Sequence, residues 1–217
     1  MKILAIETSG PTFSLALAEK GSLVSEVFWH AGFTHSERLI PALQWILDCS
    51  SWNKKEIQKI AISIGPGSFT GIRVGLTCAR TLAQGLGVPV VGVDTLEVIT
   101  AGIPACGCHV VPAIDALRNE VYTRQAGKTN AEIVSIEDFC GNLRRLKGTV
   151  IVAGNAVETY GPYMKKILKS RVCFAPPQLR YPRAGVLALL ANHKDGTDYA
   201  KVKPLYLRKS WAEERRT

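Results

Sequence analysis

The sequence predicts an α/β protein made of two successive βββαβαβ units, divided near residues 101–107. Three observations predict it. Three apolar or alternating runs, residues 2–7, 13–19 and 23–29, adjoin one another before any helical period begins. Helical and strand periods then alternate. Beyond Gly102, Pro104 and Gly107, which interrupt the pattern, the same order of elements returns with little residue identity.

The elements follow in order. The run Lys2-Ile3-Leu4-Ala5-Ile6-Glu7 is a short apolar strand, residues 13–19 alternate, and Lys20-Gly21 turns the chain into a third strand. Connections this short cannot make right-handed parallel crossovers, so the three strands are antiparallel. Thr34 opens a helix, with Glu37 three residues on completing a capping box. Leu39, Leu43, Ile46 and Leu47 share one face of that helix, and Pro41 predicts a kink. Asn53 caps a short turn before a strand over residues 59–64. Gly65-Pro66-Gly67 ends the strand and a helix runs over 70–86. A strand over 88–93 precedes a helix capped by Asp94 and Glu97.

The second half repeats this with strands over 109–114, 120–126 and 132–135, then a helix over 136–146. A strand over 149–153, a helix over 156–168, a strand over 171–174 and a last helix over 182–192 complete it. A Rossmann domain alternates strand and helix from its start. Two βββαβαβ units instead describe the actin-like architecture shared by sugar kinases and Hsp70-type ATPases. The expected division is an N-terminal subdomain, 1–103, and a smaller basic C-terminal subdomain with a tail, 104–217.

Composition narrows the functional classes. The 217 residues are 47% hydrophobic and 21% charged, which suits a buried core. No run approaches the ~18 apolar residues of a membrane span. Glu7 arrives too early for a signal peptide, and six cysteines without framework spacing read as reduced thiols, so the expected location is the cytoplasm. The net charge of +9 is lopsided. Residues 1–108 hold 8 basic and 8 acidic side chains, whereas residues 109–217 hold 19 and 10. A basic half beside a neutral one suggests a polyanion, nucleic acid first, with solvated charge as the competing reading.

Candidate chemistry is sparse. The segment Gly65-Pro66-Gly67-Ser68-Phe69-Thr70-Gly71-Ile72-Arg73-Val74-Gly75 follows a strand and opens a helix, where free N–H groups and the helix dipole can hold an anion. It lacks the Lys-Ser/Thr of a P-loop, and a tight turn that needs glycine dihedrals is the preferred reading of it. Gly71, Gly75, Ala79 and Ala83 form a small-residue row for close backbone approach, leaving Ile72, Leu76 and Arg80 to face the other way. The four histidines form no paired metal motif. Cys106-Gly107-Cys108-His109 lacks a second ligand pair, and neither Ser9 nor Ser68 sits in Gly-x-Ser-x-Gly. Glu7, Thr8 and Ser9 end the first strand, where actin-like ATPases orient metal and phosphate. Asp115 holds the matching place in the second half. Those four residues are the candidates for a vestigial nucleotide cleft. An ATPase or phosphotransferase using Glu7 and Asp115 therefore stays open as the alternative, and a metallopeptidase ranks behind it.

Several segments resemble the TsaB (YeaZ) family. They are Ile3-Leu4-Ala5-Ile6-Glu7-Thr8-Ser9, His35-Ser36-Glu37-Arg38-Leu39-Ile40-Pro41, the Gly65–Leu76 segment above, and Val93-Asp94-Thr95-Leu96-Glu97. Pro112-Ala113-Ile114-Asp115-Ala116-Leu117-Arg118-Asn119-Glu120-Val121-Tyr122 and Pro204-Leu205-Tyr206-Leu207-Arg208 join them. Glu7 stands where the family usually has Asp, and residues 127–200 match loosely. The resemblance implies an actin-like fold and a paralogue of TsaD, the subunit that transfers threonylcarbamoyl to N6 of the adenosine beside the tRNA anticodon. It implies no catalysis by this chain and no cofactor of its own, with ATP and metal held by partner subunits. The implied partners are a TsaD-like transferase, a TsaE-like ATPase and, through the complex, tRNA; apolar helix faces awaiting a partner add the expectation of a homodimer when alone. The first two helices form the implied docking surface, with Leu39, Leu43, Leu47, Ile72, Leu76 and Arg80 as contacts. On that basis Leu76→Glu is expected to abolish pairing and spare the fold.

Overall fold

The computed structural model describes residues 1–30, 35–105, 107–125 and 128–208. Among them, ten strands form two five-stranded sheets. The first sheet holds β1 (Lys2–Glu7), β2 (Thr12–Glu19), β3 (Ser22–His30), β4 (Lys59–Ser63) and β5 (Val90–Val93) in the order β3-β2-β1-β4-β5. The second holds β6 (His109–Asp115), β7 (Glu120–Thr123), β8 (Glu132–Ser135), β9 (Val150–Ala153) and β10 (Val172–Phe174) in the order β10-β9-β6-β7-β8. In each, the first three strands pair antiparallel and the next two add in parallel beside the first. The fold is thus an actin-like α/β duplication, and the repeat expected from element order is a repeat of topology.

In the first unit β1, β2 and β4 are buried on both faces, which is why β1 and β4 read as apolar runs without alternation. Leu4, Ile6, Leu15, Leu17, Ile60 and Ile62 pack with α1 (His35–Cys49) and α2 (Phe69–Leu86) on one face. The intervening Ile3, Ala5, Ala16, Ala18 and Ala61 meet α6 (Ala184–Asn192) on the other. The alanines on that face leave room for a helix that is itself small and apolar, Ala-Gly-Val-Leu-Ala-Leu-Leu-Ala-Asn. Glu26 on edge strand β3 fixes its start. Its carboxylate accepts from Gly185 N at 3.0 Å and pairs with Arg183 at 2.7 Å.

Contacts accordingly group Met1–Val98 with Pro182–Tyr206, and Ile99–Tyr181 with the segment beginning at Leu207. This differs from the contiguous division 1–103 and 104–217. An apolar helix goes where an uncovered apolar face exists, not where chain order would put it. In the second unit, α4 (Ile136–Arg145) and α5 (Ala156–Leu168) cover one sheet face, with Phe139, Leu143, Met164 and Leu168 against Val111, Val121, Val150, Val152 and Val172.

Local signals held with small shifts. Asn53 caps its turn, accepting from Lys55 N at 2.9 Å while Glu56 accepts from Asn53 N at 2.8 Å. Asp94 caps α3 (Thr95–Ala101) through Leu96 N at 2.7 Å, but Glu97 turns away to Lys194 at 2.6 Å. The Thr34 cap and the Cys106 and Ala126 positions lie outside the described residues. Pro41 stands within α1. Cys49, Cys78, Cys108, Cys140 and Cys173 are free thiols.

Candidate functional site

The end of β1 brings Glu7, Thr8 and Ser9 together, and all three are buried. Glu7 does not face a cleft. One carboxylate oxygen accepts from Ser9 N and Ser9 Oγ, both at 2.6 Å, and the other accepts from Ser63 Oγ at the end of β4. Burial pushes its pKa above the ordinary carboxylate value of 4.5, against hydrogen bonds from Ser63 and Ser9 that pull it down. A carboxyl raised in this way contributes stability that is fully present below 4.5 and is lost as pH rises through the folded value. Glu7→Gln keeps a carbonyl for Ser9 and offers an amide donor to Ser63. Its melting temperature should therefore exceed that of the wild type at about pH 8 and converge with it at about pH 4, as thermal melts across pH would read. Parallel curves would show that Glu7 does not titrate with folding.

The glycine-rich segment is occupied by the protein itself. Ser68 N donates to Ser9 O at 2.7 Å, and Thr8 Oγ1 donates to Gly71 O at 2.8 Å. A Cβ on Gly67 would stand 2.1 Å from Ser9 O, and one on Gly71 would stand 2.1 Å from Thr8 O. The space that a phosphate would need at these glycines is filled by the backbone of residues 8 and 9. The small-residue row is thus a seat for the end of β1, which decides between the two readings of this motif. On its outer side the Tyr206 ring lies tilted against Phe69 with centroids 4.7 Å apart, and Arg73 lies over the Phe69 ring at 3.9 Å while donating to Tyr206 Oη at 3.2 Å.

In the second unit Asp115 ends β6. Its carboxylate accepts from Leu117 N and Thr159 Oγ1, each at 2.8 Å, and from Tyr160 Oη at 3.3 Å. Burial, and then the Asp115 charge, push the Tyr160 phenol up. Asp115 N donates to Asn155 Oδ1 at 3.0 Å. The carboxylate thereby anchors the β6–β7 turn, where Leu117, Arg118 and Asn119 all hold positive φ (62°, 54° and 60°). Arg208 holds the same turn, donating to Ala116 O at 2.6 Å and pairing with Glu120. Among the described residues no group of three or more His, Cys, Asp or Glu side chains could hold a metal ion.

The surface of α1 and α2 differs from the one expected. Leu39, Leu43, Leu47, Ile72 and Leu76 are buried, none more than 7% exposed, and Arg80 turns inward to Val202 O. These are core residues of the first unit, because the buried arc of α2 spans two rows and not one. Leu76→Glu is accordingly a folding variant. The outward surface is an apolar groove of about 500 Å³ between the helices, formed by Ile40 and Leu39 with Arg73, Val74, Thr77, Cys78, Thr81 and Leu82. Of the six expected contacts, Leu39 alone lines it. Ile40 in its α1 wall is 57% exposed. Nothing in the apolar period marked this groove, because its α2 wall is threonine and cysteine as much as valine and leucine.

The comparisons with known proteins agree along the chain. The family model for TsaD, tRNA N6-adenosine threonylcarbamoyltransferase, matches residues 30–158. A Haemophilus influenzae protein named tRNA threonylcarbamoyladenosine biosynthesis protein TsaB is 37% identical over 229 residues, covering 96% of this chain and 94% of that one. A Bacillus subtilis protein of the same name is 29% identical over 221 residues, covering 98% and 96%. The solved structure of YeaZ from Pseudomonas aeruginosa superposes with a TM-score of 0.76 at 25% identity, over 95% of this chain and 99% of that one.

Proposed function

The chain belongs to the TsaB (YeaZ) family, and on that premise we propose that it serves tRNA threonylcarbamoyladenosine biosynthesis as the non-catalytic partner of a TsaD-like transferase. The observation that carries this reading is the α1–α2 groove, an apolar surface on the two helices to which the family resemblance assigns docking. Partner side chains fill it from outside, with Ile40 supplying exposed apolar area in its wall. A second copy of the chain covers it when the transferase is absent. Supporting the non-catalytic reading, both oxygens of Glu7 and both of Asp115 are engaged by neighbouring donors, and the glycine segment is closed by residues 8 and 9. ATP and metal are assigned to the TsaD-like and TsaE-like subunits, and the work is done in the cytoplasm. Among the described residues no helix is long and apolar enough to cross a membrane.

The test is the double variant Ile40→Glu/Thr77→Glu. Both side chains are exposed, so the fold should keep its melting temperature, and two like charges cannot neutralise each other across the groove. Affinity for a co-expressed TsaD-like subunit should fall roughly a hundredfold or more, the cost of burying unpaired charge in an interface. Modification of a tRNA transcript by the reconstituted system should fall with it. Pairing at wild-type affinity would move the interface off this groove. Turnover of threonylcarbamoyl transfer by the isolated chain would end the non-catalytic reading.

A further inference from the structure

The second unit is electrically polarised along its two helices. Acids occupy the first turns, Glu137 and Asp138 in α4 and Glu158 in α5, and bases occupy the last. The 10 and 13 residues of these helices put roughly 15 and 20 Å between the two ends. Both basic ends lie together. Arg144 donates to Ile167 O at 3.2 Å, and Arg171 donates to Arg144 O at 3.0 Å and to Leu146 O. Arg144 and Arg171 thereby satisfy carbonyls left open at the helix ends, while Lys165 in the last turn of α5 donates to Val172 O of β10 at 3.2 Å.

Four more cations on the same end have no such task. Arg145 and Lys147 flank Leu146, Lys166 precedes Ile167, and Lys169 follows α5. All four are exposed, and among the described residues none has a carboxylate partner. The helix dipole accounts for one favourable cation per terminus at about 0.3–1 kcal/mol, and Arg144 and Lys165 already supply it. The rest repel one another within a Debye length. Lys169 adds a second cost, because it holds φ 55° where glycine is the usual residue after a helix. Uncompensated repulsion concentrated at one end of a unit is the signature of a surface that awaits an anionic partner.

We propose that this end of the second unit, through Arg145, Lys147, Lys166 and Lys169, binds the phosphate backbone of RNA. The assignment rests on the reading above, in which the chain works beside a tRNA-modifying subunit, and it names the surface that the RNA touches. Backbone contact of this kind is sequence-independent and salt-sensitive. Four phosphates neutralised should cost roughly 50- to 150-fold in affinity between 50 and 200 mM salt.

The purified chain is titrated with an unmodified tRNA transcript by fluorescence anisotropy over that salt range. Arg145→Gln/Lys147→Gln/Lys166→Gln/Lys169→Gln should bind roughly tenfold more weakly or worse at 100 mM salt, with a log–log salt slope shallower by about three. Its melting temperature should stay level or rise as the repulsion is relieved. The control Lys54→Gln/Lys55→Gln/Lys201→Gln/Lys203→Gln removes the same charge from exposed positions of the first unit and should bind like wild type. No binding by wild type at 50 mM salt, or equal losses in both variants, overturns the proposal. So does poly-glutamate or an anionic lipid vesicle binding as tightly as tRNA with the same loss, since the occupant would then be an acidic protein or a membrane. Pairing with the TsaD-like subunit, measured on the same variants, should be unchanged. A failure of that pairing in wild type is a failure of the docking reading and is thereby told apart.

Discussion

Leu76→Glu should unfold the first unit, not merely uncouple it from a partner. Leu76 is 4% exposed and belongs to the cluster that α1 and α2 make with β1, β2 and β4. Removing the leucine forfeits about 2–5 kcal/mol of burial and packing. Seating a carboxylate there without a partner costs several kcal/mol more, or else forces it to take up a proton. The sum rivals the ~5–15 kcal/mol that hold a domain together. Near-UV circular dichroism at neutral pH should show lost tertiary packing, and the loss should ease in acid as the carboxyl protonates. A native spectrum with a melting temperature within a few degrees of wild type would show that this position is not core. Ile40→Glu/Thr77→Glu is the companion experiment, since the same charge on the outer row should leave the melt alone.

Two glycines of one helix should respond to alanine with opposite signs. Gly85 has no atom within 4 Å of an added Cβ, so Gly85→Ala should gain the usual 0.5–1 kcal/mol or so of helix propensity, about 1–4 °C in melting temperature. At Gly71 the same methyl would stand 2.1 Å from Thr8 O, a backbone atom at the end of a buried strand. Neither side can give cheaply, because Thr8 Oγ1 is itself bonded to Gly71 O. Overpacking of this kind costs roughly 1–3 kcal/mol and sometimes more, which outweighs the propensity gain. Gly71→Ala should melt roughly 3–10 °C lower, and by more if the end of β1 is forced out. Two variants that both stabilise would refute the close seat that residues 8 and 9 take on α2.

Most of the fold could be read from local signals, because strands, turns and caps depend on neighbours in the chain. Lys20-Gly21 turned β2 into β3, Asn53 capped as its type requires, and the meander followed from connection length alone. Three features could not be read, each for a physical reason. The home of α6 depends on an alanine-rich sheet face whose members are scattered over β1, β2 and β4. The direction of the Glu7 carboxylate depends on Ser63 in another strand. The width of the buried arc of α2 escaped because glycine adds nothing to an apolar period. Gly71 and Gly75 therefore looked like one face and Ile72 and Leu76 like another, when both rows are inside. The groove proposed for docking lies on the third row, at Arg73, Thr77 and Thr81.

The return of α6 to the first sheet bears on how the protein is made. A nascent chain emerging from the ribosome exposes Ile3, Ala5, Ala16 and Ala61 early, while α6, the helix that shields most of that face, follows only after the second unit's strands. At about 5–20 residues per second the bare face waits for several seconds of synthesis. The early unit therefore cannot mature on its own schedule. A translation product that stops before Ala184 should be held by chaperones or degraded, even though it contains every described strand.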